Sequence, residues 1–364
     1  MDHAATTSTH PEVIRAMQPY FHDKFANPSG IYSIAKENRQ KIEKCRQMIA
    51  DTLHAKKNEI YFTAGGSEGD NWALKEIADT YSKKGRHIIT TKLEHHGILH
   101  TCEYLERHGF EVTYLDVDIY GRVNPVQVER AIRKDTILIS VMFANNEIGT
   151  IQPIKEIGEI AKKHGVLFHT DAVQGFMKLP FRASKLGADL ISISGHKIHA
   201  VKGIGALYIR SGLRLPPFIC GGGQESERRA GTEAMPAIAA FAAAARLDPK
   251  IEYIRSLKTQ LSERLTAAVP EAVILETDAP HILSASMPGW RSEVIMNFLE
   301  GREVYVSKSS ACKQGKRSHV LEAIGMRSDR IDGSIRIGLS RYTTEEDIEA
   351  LVCGLSDARA LAHR

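Results

Sequence analysis

Short apolar runs alternate with helix-length segments over the first two thirds of this chain, and that alternation constrains the fold more than any other feature. Glu59–Thr63, His87–Thr91, Phe110–Val117, Thr136–Phe143, Val166–His169, Leu190–Ser194 and Ala206–Arg210 read as strands. Helices separate several of them. Ile98–His108 is one, and Pro153–His164 is another, with Ile154, Ile157, Ile160 and Ala161 on one face. Strands joined by crossovers of that length pair in parallel, because a two-residue hairpin can only reverse the chain. The expected fold is α/β, a mostly parallel sheet covered by helices on both faces.

The pattern changes near residue 245. Ala237–Leu247 and Ile251–Val269 are helical, and short strand candidates follow at Ala272–Leu275, Ser284–Met287, Val304–Val306 and Ser334–Leu339. The last helix opens with a capping box, Thr343-x-x-Glu346, and carries Ile348, Leu351, Val352 and Leu355 on one face. We expect a large domain over 8–247 and a smaller α+β domain made of 1–7 and 248–364.

Composition removes several function classes. The chain has 364 residues, with 48 Lys+Arg against 44 Asp+Glu. That near balance argues against nucleic acid or an anionic membrane as the main partner. No apolar run reaches bilayer length, and the start lacks a signal-peptide pattern. The cysteines are Cys45, Cys102, Cys220, Cys312 and Cys353, far apart and without C-x-x-C spacing, which fits a reducing, cytoplasmic setting.

Three strand ends carry chemistry. After the first strand, Phe62-Thr-Ala-Gly-Gly-Ser-Glu-Gly-Asp-Asn71 leads into a helix, so Gly65, Gly66 and Ser67 could cradle a phosphate with free N–H groups. Taken alone, the stretch reads more readily as an ordinary strand-to-helix turn. Asp171, in His169-Thr-Asp-Ala-Val-Gln174, ends another strand, where open α/β sheets place their ligands. It could pair with a protonated ring nitrogen or simply cap a helix. Lys197, in Ser194-Gly-His-Lys197, follows a third strand and could serve as a nucleophilic amine. A phosphate cradle, a strand-end Asp and a strand-end Lys are together the set that pyridoxal phosphate requires. Farther on, Lys308, Lys313, Lys316 and Arg317 surround Cys312, and nearby cations favour thiolate. Cys312 is thus the best candidate for a reactive thiol. His95, His96 and His100 lack a carboxylate or Cys at ligand spacing, so no metal is expected; His95 could instead stack on a cofactor ring.

With these residues assembled, the chain resembles the cysteine desulfurases, the NifS/IscS-like branch of class V pyridoxal-phosphate enzymes. The matching segments run in order from Asp2-His-Ala-Ala-Thr-Thr7 through Glu94-His95, Asn145-Asn-Glu-Ile-Gly149, Ser194-Gly-His-Lys-Ile198, Gly221-Gly-Gly-Gln-Glu225, Ala230-Gly-Thr-Glu233 and Ser310-Ala-Cys312 to Ser334-Ile-Arg336. The resemblance implies a fold-type I homodimer with pyridoxal 5'-phosphate as cofactor. Lys197 would hold the cofactor's aldehyde carbon. His95 would stack on the ring and assist proton transfer, and Asp171 would pair with the ring nitrogen. Asn146 and Gln174 would contact the ring's phenolic oxygen. Gly66, Ser67, Ser194 and His196 would hold the phosphate, joined by Thr232 from the partner subunit. Asn27 and Arg336 would grip the carboxylate of L-cysteine. Lys197, once displaced, would take the substrate's α-proton. Cys312 would attack the substrate sulfur, release alanine and pass its persulfide to an acceptor protein, an iron–sulfur scaffold or a tRNA-thiolation enzyme. Selenocysteine lyase uses nearly the same site, and a plain aminotransferase needs no thiol. The Cys312 loop departs from the family pattern at Lys308 and Ser309, and Ala200-Val201 replaces a usual Gly-Pro. That altered loop is the one feature that favours a non-catalytic scaffold.

Overall fold

The computed structural model describes residues 1–308 and 317–362. Cys312 and its neighbours Lys313 and Lys316 lie outside the described residues. Helices are α1 Pro11–Met17, α2 Ser33–Leu53, α3 Gly66–Tyr81, α4 His96–Glu106, α5 Pro125–Ala131, α6 Ile154–His164 and α7 Ala183–Leu186. They continue as α8 Met235–Ala244, α9 Ile251–Ala268, α10 Ser292–Glu300, α11 His319–Ala323, α12 Ser328–Asp332 and α13 Glu345–Ala362. The first seven strands are β1 Ile60–Thr63, β2 His87–Thr91, β3 Glu111–Leu115, β4 Thr136–Ser140, β5 Leu167–Asp171, β6 Leu190–Ser194 and β7 Gly205–Ile209. They form one sheet in the order β1-β7-β6-β5-β4-β2-β3.

Pairing is parallel from β3 across to β6, while β7 runs antiparallel to both β6 and β1. Every residue of β4 and β6 is buried, as expected of strands covered on both faces. α6 shows how the covering forms. Ile154, Ile157, Gly158 and Ala161 face inward, and Gly165, in the left-handed region at φ 65°, ends the helix. One large core, from Val13 to Ala245, contains Ile139, Phe168, Ile191 and Phe241; a second, on the other face, is built around Trp72, Ile88 and Leu138.

The second sheet has the order β10-β11-β9-β8, from β8 Val273–Leu275, β9 Ile282–Ser286, β10 Ser307–Lys308 and β11 Ser334–Gly338. Its core joins Leu257, Leu261, Leu283, Ile335, Ile337, Ile348 and Leu351. Two sequence expectations shift here. Val304 and Val306 are buried but unpaired, and the strand starts at Ser307, where Arg336 and Ile335 offer backbone partners. The capping box of α13 sits one residue later. Thr344 Oγ1 accepts from Asp347 N–H and Asp347 Oδ2 accepts from Thr344 N–H, whereas Thr343 Oγ1 is taken by Ser340 N–H. No helix among the described residues is long and apolar enough to cross a membrane.

Candidate active site

The C-terminal ends of the parallel strands open into a cavity of about 800 Å³. Gly66, Ser67, His95, Asn146, Asp171, Gln174, Ser194, His196, Lys197 and Arg336 all line it. Sequence separations of more than a hundred residues therefore close into one site. Asn27 and Thr232 do not line it and are exposed; the Asn27 side chain instead accepts from Ser29 N–H.

The floor at β1 is made by Gly65 and Gly66, where α3 begins. A Cβ on Gly66 would come within 2.5 Å of Val173 Cγ2, so only glycine leaves the helix start open to an anion here. Ser194, buried at the end of β6, lies beside this start.

Asp171 ends β5 and accepts from Val173 N–H. Its carboxylate, that of Asp70 and a ring nitrogen of His95 lie within 4.8 Å of one another. Burial raises the pKa of Asp171, while His95 and Lys197 act in the opposite direction. Burial pushes Asp70 well above the usual carboxylate range, and the neighbouring Asp171 charge adds to it. Oδ1 of Asp70 is buried without a hydrogen-bond partner among the described residues. Two desolvated carboxylates sharing one corner call for a positive group, and the protonated ring nitrogen of pyridoxal phosphate is such a group. The ring of His95 is tied at Nδ1, which accepts from Gly97 N–H at the start of α4.

Lys197 Nζ donates to the carbonyls of Ala4 (2.7 Å) and Ala5 (2.6 Å), so the N-terminal strap holds the amine in the cavity. Arg336 is buried on β11. It donates to Asn146 O at 3.0 Å and to Asp2 Oδ1 at 3.1 Å, and its Nε has no partner among the described residues. A buried, underused guanidinium suits a carboxylate. Donor set, glycine cradle and orphaned polar atoms all fit pyridoxal phosphate with an amino-acid substrate.

Two buried acids of the lining and one residue behind it do not stand out in the sequence. Asp70 stands three residues after Ser67, one helical turn along α3, which was the available signal. Glu147 accepts from Ser318 Oγ at 2.5 Å, and burial raises its pKa to about 7. Asn145 hides a structural role in the Asn-Asn pair. It donates to Leu93 O and accepts from Glu147 and Ile148 N–H, which shapes the turn that presents Asn146. The described flanks of the Cys312 segment also meet the site. Ser307 pairs with Arg336 across the sheet, and Arg317 and His319 line the cavity mouth.

Comparison with known proteins agrees with this geometry. The aminotransferase class-V family profile matches residues 1–351. A cysteine desulfurase IscS of Methanosarcina thermophila is 46% identical over 361 residues, covering 97% of this chain and 89% of its own. Among solved structures, a NifS-like protein superposes with a TM-score of 0.93 at 36% identity, covering 99% of this chain and 98% of its own. SspA in complex with cysteine superposes at 0.85, also 36% identical, covering 94% of this chain and 99% of its own.

Proposed function

We propose a function from the premise that this chain belongs to the aminotransferase class-V family: it is a pyridoxal-phosphate-dependent cysteine desulfurase. The carrying observation is that Lys197, Asp171 and Arg336, from three separate segments, converge on one cavity. When bound, the cofactor supplies the aldehyde that condenses with amines and the ring that accepts the electrons released at the substrate's α-carbon.

The chain's own residues do the rest. Arg336 holds the carboxylate of L-cysteine and fixes its register. Lys197 Nζ takes the α-proton and later returns a proton to the product. Asp171 keeps a positive charge at the ring nitrogen. His95 orders the ring face, and Asn146 and Gln174 meet the ring's oxygen. Gly66, Ser67, Ser194 and His196 hold the phosphate. Asn27, outside the cavity, is assigned no step. Cys312 as thiolate attacks the substrate's Sγ. A sulfur–sulfur bond forms, the carbon–sulfur bond breaks, and its electron pair stays with carbon, which is protonated to give L-alanine. Cys312 is left as a persulfide.

We further propose a homodimer in which Thr232 completes the partner's phosphate site. The exposed apolar side chains Phe21, Phe25 and Ile31, 65–85% accessible in the single chain, support a second copy as their cover. The division into 8–247 and 1–7 with 248–364 is proposed on the two sheets and their separate cores. The free, buried thiols of Cys45 and Cys102 support a cytoplasmic setting. The persulfide's acceptor is an iron–sulfur scaffold or a tRNA-thiolation enzyme.

The test is alanine release from L-cysteine by the purified holoenzyme with a thiol reductant, beside Cys312→Ala. Wild type forms alanine and the variant does not. Equal alanine from both would remove Cys312 from the reaction.

A further inference from the structure

We infer that Lys178 and His281 are positioning residues that lock the Gln174 side-chain amide with its nitrogen toward the cavity. The cofactor atom that meets Gln174 is then necessarily a hydrogen-bond acceptor. This rests on the proposed reading of the cavity as a cofactor site, and it adds what sets the orientation there.

The amide has four hydrogen-bonding positions, two acceptor and two donor. Lys178 Nζ donates to Gln174 Oε1 at 3.0 Å, and His281 Nε2 lies 3.0 Å from the same oxygen. The other end of the amide lies 3.0 Å from Ala4 O, a backbone carbonyl that can only accept, so that end is the nitrogen and the end facing Lys178 and His281 is the oxygen. The assignment of oxygen and nitrogen is thus dictated by chemistry, and His281 carries its proton on Nε2. Gln174 Nε2 donates one hydrogen to Ala4 O at 3.0 Å. Both acceptor positions and one donor are filled, so a single N–H remains for the cavity that Gln174 lines.

His281 is buried, and its Nδ1 has no partner among the described residues. Burial holds its pKa well below the usual imidazole value, so it is neutral and donates once. Lys178 follows Gln174 by four residues in the turn after β5, and burial together with Lys197 and Arg336 lowers its pKa strongly. Among the described residues its Nζ makes one hydrogen bond, the one to Gln174. Free rotation would let the amide turn its oxygen to the cavity; the two donors oppose that turn.

A donor fixed at the cofactor's ring oxygen withdraws electron density that otherwise helps hold the chromophore's proton. Losing the lock therefore raises the pH midpoint of the bound cofactor's visible absorption and weakens cofactor binding. The other charged and titratable groups at this end stay constant across the variants below: Asp70, His95, Glu147, Asp171, His196, Lys197 and Arg336 at the cavity, and His3, His199, Lys258 and Arg341 behind Lys178 and His281.

The experiment titrates the visible spectrum of the holoenzyme and measures cofactor Kd for wild type, Gln174→Leu, Lys178→Met, Lys178→Gln, His281→Phe and His281→Gln. Far-UV circular dichroism verifies folding. Gln174→Leu raises the midpoint by about one pH unit and Kd about tenfold. Lys178→Met and His281→Phe each raise the midpoint by about half a unit. Lys178→Gln and His281→Gln recover at least half of that shift, because both can still donate. Since Met and Gln at 178 remove the same charge, equal shifts for these two would assign the effect to charge and overturn the lock. A wild-type midpoint in Lys178→Met and His281→Phe, with Gln174→Leu shifted, would also overturn it. No shift in Gln174→Leu would instead overturn the placement of Gln174 at the cofactor, and the lock with it.

Discussion

Replacing Glu225 by alanine tests how the loop before Thr232 is held. Glu225, Ser226 and Glu227 are three consecutive non-glycine residues in the left-handed region, at φ 46°, 57° and 65°. Such backbone costs roughly 1–2 kcal/mol per residue and persists only under outside restraint. The restraint is a buried ion pair. Arg46 on α2 meets Glu225 through both guanidinium arms, at 2.5 and 2.8 Å, and Phe62 N–H donates to the same carboxylate. The two side chains are 10% and 4% exposed. Glu225→Ala leaves the buried guanidinium with only Ile60 O and the half-exposed carboxylate of Glu43, a loss of up to about 3–5 kcal/mol. An unfolding entropy of roughly 0.8 kcal/mol/K for 364 residues turns that into a fall of about 4–6 °C in the thermal midpoint. Glu225→Gln keeps an acceptor for Phe62 N–H and loses about half as much. Arg46→Met combined with Glu225→Gln recovers most of the loss, because no charge is then stranded. Differential scanning calorimetry of the holoenzyme reads all three. Midpoints within 1 °C of wild type for both single variants would refute the reasoning, since a solvated pair is worth that little.

Two further outcomes follow from the site. Burial raises the pKa of Glu94 to about 8, so between pH 4.5 and 8 the folded state keeps a proton that the unfolded state has released. Wild-type stability then falls relative to Glu94→Gln by about 1.4 kcal/mol per pH unit as pH rises through that window, and the difference levels off above it; parallel denaturant curves at pH 5.5 and 7.5 would contradict this. Borohydride reduction of the holoenzyme followed by denaturation leaves cofactor attached to wild type and none to Lys197→Ala, read by intact mass; attachment surviving in the variant would move the link to another amine.

Much of the large sheet was legible because β4 and β6 are apolar on both faces, a pattern that few alternatives produce. Asp171 and Lys197 were legible because each sits at or just after the end of an apolar strand. Less visible was α2, a 21-residue helix. Its inward face carries Asn38 and Arg46, and buried polar residues break the apolar stripe that marks a helix in sequence. Each is satisfied by a distant partner: Asn38 donates to the carbonyls of Lys24 and Ala26, and Arg46 meets Glu225. The reversed direction of β7 was not foreseen either, because its apolar run reads the same both ways.

The N-terminal strap shows why the lesser motifs matter. Asp2-His-Ala-Ala-Thr-Thr7 has no reactive side chain beyond Asp2 and His3, yet it touches the site along its length. Asp2 meets Arg336, Ala4 and Ala5 accept from Lys197, and Thr7 accepts from His199 N–H while donating to His196 O. A bridge from Asp2 to Gly338 ties the same strap to the second sheet. Carbonyl oxygens can hold a protonated amine but cannot take its proton. The strap therefore positions the Lys197 amine without competing with it as a base. When the amine gives up hydrogens to its covalent role, Ala4 O still has the Gln174 N–H as a donor. The strap is thus not left with an orphaned acceptor at that position, and the floor of the cavity keeps its shape as the lysine changes state.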